Sequence, residues 1–245
     1  MSNDHINPPK PGSVRGEQSP FDRPLAIHVT DSSLRDLVVA GVESYHVRHW
    51  GSGVREGAAE TAGLLWGYVV SKRDMDHVLV DYVSTDTFAK GTANEVGLNP
   101  LVTEVKQRLI AFRWPYLTMV GDFHTHVYTN VGDVKWNKGW EFSDDDRSWY
   151  EQPEESHSPP WTGRIALVLA IAELGRSSAM DPEVVSDNAI AWQMDKYRFW
   201  LSGYSIDRNG TKLLVSPTSE KDRPSRKNVY IDAPTVNGTT PWFVW

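Results

Sequence analysis

The stretch "GDFHTHVYTN", residues 121–130, puts His124 and His126 one residue apart in a chain that has eight histidines in all. They follow the apolar run "YLTMV", which reads as a buried strand. Residues two apart on a strand point to the same face with their Cα atoms about 7 Å apart, so the two imidazoles can converge on one ion. On a helix the same pair would sit about 200° apart and could not. Cysteine is absent. Disulfides, thiolate ligands and cysteine nucleophiles are therefore excluded, and a metal has to be held by His, Asp, Glu or water. The best downstream acids lie in "EFSDDDRSW", residues 141–149. Two imidazoles and one carboxylate would leave a fourth position for water, the arrangement of a catalytic zinc. Each residue also has a plainer reading. A histidine taken alone is more often structural or superficial than ligating. Ser143 and Asp146 match a helix start, with the hydroxyl capping backbone N–H groups and the acid in the first turn. Capping and ligation can coexist. Asp144 and Asp145 read as a solvated charge run.

The elements that must position these residues follow from periodicity and turn chemistry. "LAIHVT", residues 25–30, reads as a strand. Asp31 or Ser32 can cap a helix whose apolar residues Leu34, Leu37, Val38, Val42 and Tyr45 recur at helical spacing. "GLLWGYVV" and the alternating "HVLVDYVS", separated by the turn cluster "KRDMD", predict a hairpin. Asn99 as cap and Pro100 at the first helical position open a second helix with Leu101, Val105, Leu109 and Phe112 on one face, ending near Trp114-Pro115. After the histidine strand comes a polar and aromatic stretch, residues 127–163, with four of the eleven tryptophans. "RIALVLAIAEL", "AIAWQMD" and "YRFWLSGYSI" are further strands, with residues 207–210 as a turn. Strands and helices without βαβ regularity predict an α/β or α+β fold: a mixed sheet flanked by helices rather than a doubly wound parallel sheet. No internal repeat is evident.

Three blocks in order, Glu60 ahead of "TAGLLWG", then His124-Thr125-His126, then Ser143-Asp144-Asp145-Asp146, resemble the JAMM motif of the JAB/MPN+ zinc metalloproteases: a distant Glu, HxH and SxxD. The resemblance spans roughly residues 23–210. It implies a JAB/MPN-like (cytidine-deaminase-like) sheet. It also implies zinc held by His124, His126 and Asp146 with water as fourth ligand. Glu60 would be the acid/base that moves the water proton to the departing amine, and Ser143 the hydroxyl that supports the oxyanion. Such a site is consistent with the acidification of zinc-bound water toward about pH 7 and with proton transfer by a nearby carboxylate. The resemblance further implies ubiquitin or ubiquitin-like conjugates as substrates. Bacterial members suggest activating and conjugating enzymes of one pathway, some linked to phage defence. Two features depart from the pattern. Val127 stands where proline is common, and "VYTNVGDVKWNKGWEF", residues 127–142, is a long insertion between HxH and SxxD. Residues 127–131 could offer a strand edge to a modifier's tail, with Trp136 and Trp140 covering it, or the tryptophans could close a small core of their own.

Composition sets the remaining bounds. A formal charge of −7 argues against a general nucleic-acid binder. No run approaches the roughly 18 apolar residues of a membrane span, and the first residues lack a signal-peptide core, so a cytoplasmic protein with no membrane partner is expected. The expected organisation is a Pro/Gly/Ser-rich leader over 1–22, a JAB/MPN+ domain over 23–215 and a tail with an aromatic end over 216–245. Two other functional classes fit the residues: a non-catalytic MPN-type scaffold, and a different zinc amidase or peptidase on the same fold. "HWGSGVREG" lacks the Gly-Lys-Ser/Thr ending of a phosphate loop. A nucleobase deaminase would need cysteine ligands.

Overall fold

A computed structural model of the chain describes residues 23–46, 59–91, 96–151, 164–178, 180–209, 212–216 and 228–237. The expected leader, residues 1–22, and the aromatic end lie outside them. The chain runs β1 (Leu25–Val29), α1 (Asp31–His46), β2 (Ala62–Ser71), β3 (Asp76–Thr85), β4 (Lys90–Gly91), β5 (Val96–Gly97), α2 (Pro100–Arg113) and β6 (Thr118–Tyr128). It continues through α3 (Val131–Asn137), α4 (Asp144–Tyr150), β7 (Ile165–Glu173), β8 (Met180–Ser186), β9 (Ala189–Met194), β10 (Tyr197–Asn209), β11 (Lys212–Ser216), β12 (Val229–Asp232) and α5 (Pro234–Asn237). The expected mixed sheet with flanking helices is present. Its order is β12-β1-β3-β2-β6-β7-β10-β9-β8, with β11 also paired to β10. β1 is parallel to β3 and β12, and β6 is parallel to β7. The other pairings are antiparallel. The sheet curls until β12 lies against β9 and β10, where the Ile231 N–H donates to the Asp187 carbonyl.

Strand alternation divides the sheet into two faces. Phe123 of β6 and Leu167, Leu169 and Ile171 of β7 join the main core with Leu34, Leu37 and Val38 of α1. Asp122, His124 and His126 point the other way, together with Ala166, Val168, Ala170 and Ala172, their register partners or neighbours on β7. On that face, Phe142 and Tyr150 pack over Ala166 and Val168, and Val134 of α3 packs over Ala170 and Ala172. Alanines at three of the four β7 positions leave room for this layer. Parallel neighbours cannot be joined by a tight turn and need a crossover of a dozen or more residues. The segment from β6 to β7 is that crossover, and it carries α3 and α4 across the histidine face.

Several local expectations hold. Asn99 caps α2 by accepting from the Leu101 and Val102 N–H groups, with Pro100 in the first turn. The 62–85 hairpin forms, with a register shift at Trp66/Gly67. Others need correction. Thr30, rather than Asp31 or Ser32, opens α1: its side chain accepts from the Ser33 N–H at 3.3 Å and its carbonyl from the Leu34 N–H at 2.8 Å. Residues 207–209, read as part of a turn, continue β10 and pair with β11. β12 and α5 lie in the stretch read as a tail, yet β12 pairs in register with β1. The shared face of Leu101, Val105, Leu109 and Phe112 points outwards, and Phe112 is 87% exposed. α2 instead turns Thr103 and Ile110 to the sheet, and Lys106 donates to the Ser84 and Thr85 carbonyls. Among the described residues, no helix is long and apolar enough to cross a membrane.

Gly121 sits where β6 enters between β2 and β7, and a Cβ there would lie 2.0 Å from the Ile165 carbonyl oxygen. Backbone cannot yield as a side chain does. Gly121→Ala is therefore expected to lose about 1–3 kcal/mol of stability, the scale of overpacking. Gly97→Ala, where an added Cβ meets nothing within 4 Å, should stay within about 0.5 kcal/mol. Denaturant unfolding of the two variants checks the contrast.

Candidate metal centre

His124 and His126 lie in the C-terminal half of β6, both buried, with side chains on the face crossed by the β6–β7 connection. α4 delivers the third group. Ser143 is its N-cap: the hydroxyl accepts from the Asp146 N–H at 3.0 Å, and Asp146 Oδ2 accepts from the Ser143 N–H at 2.8 Å, a complete capping box. The expected helix start is therefore real, and it aims Asp146 at the histidines. The Ser143 hydroxyl also donates to Asp146 Oδ2 at 2.7 Å. Asp144 and Asp145 are exposed, as a solvated run should be.

The three side chains form a small triangle. His124 Nε2 is 3.1 Å from His126 Nε2, 3.3 Å separates His124 Nε2 from Asp146 Oδ1, and 3.2 Å separates His126 Nε2 from Asp146 Oδ2. A tetrahedron with metal–ligand bonds of about 2.0 Å has edges of roughly 3.3 Å; the two ring nitrogens are spaced on that scale, and the carboxylate meets them at similar distances through its two different oxygens. Tautomer chemistry agrees. His126 Nδ1 lies 2.8 Å from the Gly139 carbonyl, which only accepts, so Nδ1 carries a proton and a neutral ring offers its Nε2 lone pair to the triangle. This buried group can hold a metal ion.

Charge is balanced within the cluster. Burial disfavours ionised Asp146, but hydrogen bonds and charge from His124 and His126 outweigh it and hold the carboxyl well below the usual range. Burial also works against a charged His126, yet Asp146, then Glu60, push its pKa up. For His124 burial wins, and its pKa is lowered. A cation inside the triangle would be attracted by the Asp146 carboxylate, with Glu60 nearby.

Glu60 belongs to the same neighbourhood. Ala62 pairs with His124 across β2 and β6, and the Thr125 N–H donates to the Thr61 carbonyl at 2.9 Å. Carried two residues further, the antiparallel register sets Glu60 opposite His126, on the same face. Glu60 is 8% exposed. Its neighbours are anchored by the Thr61 N–H donating to Thr125 Oγ1 at 2.8 Å and by the Ala59 N–H donating to the Ser44 carbonyl. The structure thus brings His124, His126 and Asp146 together, sets Ser143 on Asp146, and puts Glu60 beside His126.

Several neighbours of the site are not evident from residue type. Gly139 supplies the carbonyl on His126. Phe142 stacks against His124, with ring centroids 5.8 Å apart at 17°, and against Tyr204 at 3.9 Å and 7°. Beneath them the Tyr150 hydroxyl donates to Asp122 Oδ1 at 2.5 Å, and burial pushes the Asp122 carboxyl up to about 7. The one sequence signal for Asp122 is its strand phase, two residues before His124. The insertion differs from the strand edge considered above. Only Val127 and Tyr128 are extended, and α3 begins at Val131. Trp140 stacks on Trp200 at 6.3 Å, closing a small core, whereas Trp136 is 88% exposed. No protein-family model matches the chain, and no curated protein sequence does either.

Purified protein is expected to bind one divalent metal ion per chain. His124→Ala, His126→Ala and Asp146→Ala should each lose stoichiometric metal in elemental analysis, whereas Asp144→Ala should keep it. Full retention in all three ligand variants would show that the triangle is not the binding site.

Proposed function

We propose that the chain is a zinc-dependent isopeptidase of the JAMM/MPN+ (JAB-domain) type, on a JAB/MPN-like fold, that removes ubiquitin or a ubiquitin-like modifier at the amide after the modifier's C-terminal glycine. The observation that carries this reading is the position of Glu60 beside a three-ligand His124–His126–Asp146 cluster: three protein ligands would leave a coordination position for water, and a buried carboxylate beside them suits proton transfer. When bound, zinc supplies Lewis-acid polarisation and an acidified water nucleophile. Glu60 accepts the proton of the attacking water and delivers it to the departing amine nitrogen as the C–N bond breaks. Ser143, exposed at the start of α4, turns its hydroxyl from Asp146 to the developing oxyanion, a contribution of about 3 kcal/mol for a well-placed donor. The outward apolar stripe of α2 is a surface on which a protein-sized substrate can rest.

That same stripe favours a second reading, a non-catalytic scaffold that uses α2 for assembly. The two readings separate on one substitution. Glu60→Gln should keep its metal and its fold but lose at least about 100-fold in turnover, the scale of general acid–base catalysis. The assay is cleavage of a panel of ubiquitin-like conjugates with and without chelator. Chelator-insensitive cleavage, or near-normal turnover in Glu60→Gln, would remove the isopeptidase mechanism, and absence of cleavage across the panel would favour the scaffold.

A further inference from the structure

We infer that the insertion between HxH and SxxD is the outer frame of the metal centre, with Gly139 as the positioning residue whose backbone carbonyl fixes His126 for ligation. The inference rests on His124, His126 and Asp146 forming a metal site and is independent of what reaction that site performs.

The geometry begins with how α3 ends. Lys138 adopts the left-handed conformation, φ 50° and ψ 46°. The Gly139 N–H donates to the Val134 carbonyl at 2.8 Å and the Lys138 N–H to the Lys135 carbonyl at 3.4 Å, the two bonds of a Schellman ending. This turn reverses the chain after a single short helix and brings the Gly139 carbonyl back onto His126 Nδ1 at 2.8 Å. The helix itself is anchored by Val134, fully buried against Ala170, Ala172 and Trp200.

Glycine at 139 is a matter of approach. A Cβ there would fall 2.4–2.5 Å from Cζ and Cε2 of the Tyr128 ring and from its hydroxyl Oη. Tyr128 ends β6, two residues after His126, and its backbone carbonyl accepts from the Tyr45 hydroxyl at 2.9 Å. Its ring packs against the Val134 cluster and faces the 138–139 backbone, so a Cβ at 139 requires the ring or that backbone to shift. Three residues on, the same segment lays Phe142 on His124, and the Phe142 N–H donates to the Tyr204 hydroxyl at 3.0 Å. Ser143 then holds Asp146. Both histidines and the carboxylate are thus oriented by consecutive parts of one segment, residues 138–143. A metal-bound histidine needs its second ring nitrogen bonded so that tautomer and ring plane are fixed, and losing such a partner costs about 10- to 100-fold in metal affinity.

The test is zinc affinity of the full chain by competition with a chromophoric chelator, with cobalt(II) spectra as a report on ligand geometry. Thermal unfolding of the metal-free proteins serves as the check on folding. Gly139→Ala is expected to bind zinc at least about tenfold more weakly and to shift the cobalt bands. Adding Tyr128→Ala to it removes the ring and should recover most of the loss. Lys138→Val tests the same carbonyl from an exposed side chain, because a β-branched residue resists the left-handed turn. It should also weaken binding, whereas Lys138→Gly and Trp136→Ala should bind as wild type does. Wild-type affinity and unchanged cobalt bands in both Gly139→Ala and Lys138→Val would overturn the positioning role while leaving the metal site standing. If the wild-type protein bound no zinc or cobalt, the metal site and this inference would fall together.

Discussion

The parallel pairing of β6 with β7 is the constraint from which the rest of the site follows. Two parallel neighbours oblige the chain to leave the end of β6, cross a face of the sheet and re-enter at the start of β7. The face chosen is the one that carries His124 and His126. β7 presents Ala166, Ala170 and Ala172 there, so the crossing chain can sit close to the sheet. Its apolar residues, Val134, Phe142 and Tyr150, settle over those small side chains. α4 is carried along, and with it Asp146. A large residue at the alanine positions would lift the crossover off the histidines.

A second consequence is that stability and ligation use the same atoms. The Asp146 carboxylate completes the capping box of α4, an interaction of about 1 kcal/mol, and also faces both imidazoles. Helix formation and site assembly are therefore coupled: if α4 frays at its start, the third ligand leaves with it. The aromatic stack of His124, Phe142 and Tyr204 works in the same way, because an offset ring pair contributes about 0.5–1.5 kcal/mol while fixing the plane of His124. Asp122 extends this layer below the ligands. Its carboxyl is buried and held by the Tyr150 hydroxyl of α4, which ties the far end of that helix to the strand bearing the histidines.

α2 shows the opposite case, an element whose apolar face is left to solvent. The helix turns Thr103, Ile110 and the hydrogen-bonding Lys106 toward the sheet, while Leu101, Val105, Leu109 and Phe112 stand outside. A helix of this composition has two faces able to pack. The inward one meets polar groups at the sheet's rim: Lys106 reaches the carbonyls of Ser84 and Thr85, and Asp86 accepts from the Asn99 N–H at 2.7 Å.

The sequence by itself determined what depends on neighbours within a turn or a strand. Two histidines at strand spacing share a face whatever the rest of the chain does. Ser143 and Asp146 cap a helix because the four-residue pattern closes on itself, and Asn99-Pro100 opens α2 for the same reason. The hairpin of β2 and β3 was legible because its turn and its alternation are local. Tertiary structure alone decided which face of α2 turned inwards, that β12 joins β1 from some two hundred residues away, and that Glu60 stands opposite His126. It also brought Asp146, already marked by the SxxD spacing, within reach of both imidazoles, and it made Gly139 and Phe142 part of the site. Gly139 and Phe142 have no distinguishing type or spacing, and the block pattern that marks Glu60 and Asp146 says nothing of where they stand relative to the imidazoles. Their roles come from the register of β2 on β6 and from the path of the β6–β7 crossover, and both are set by how apolar surfaces far apart in the chain close into one core, which no local pattern encodes.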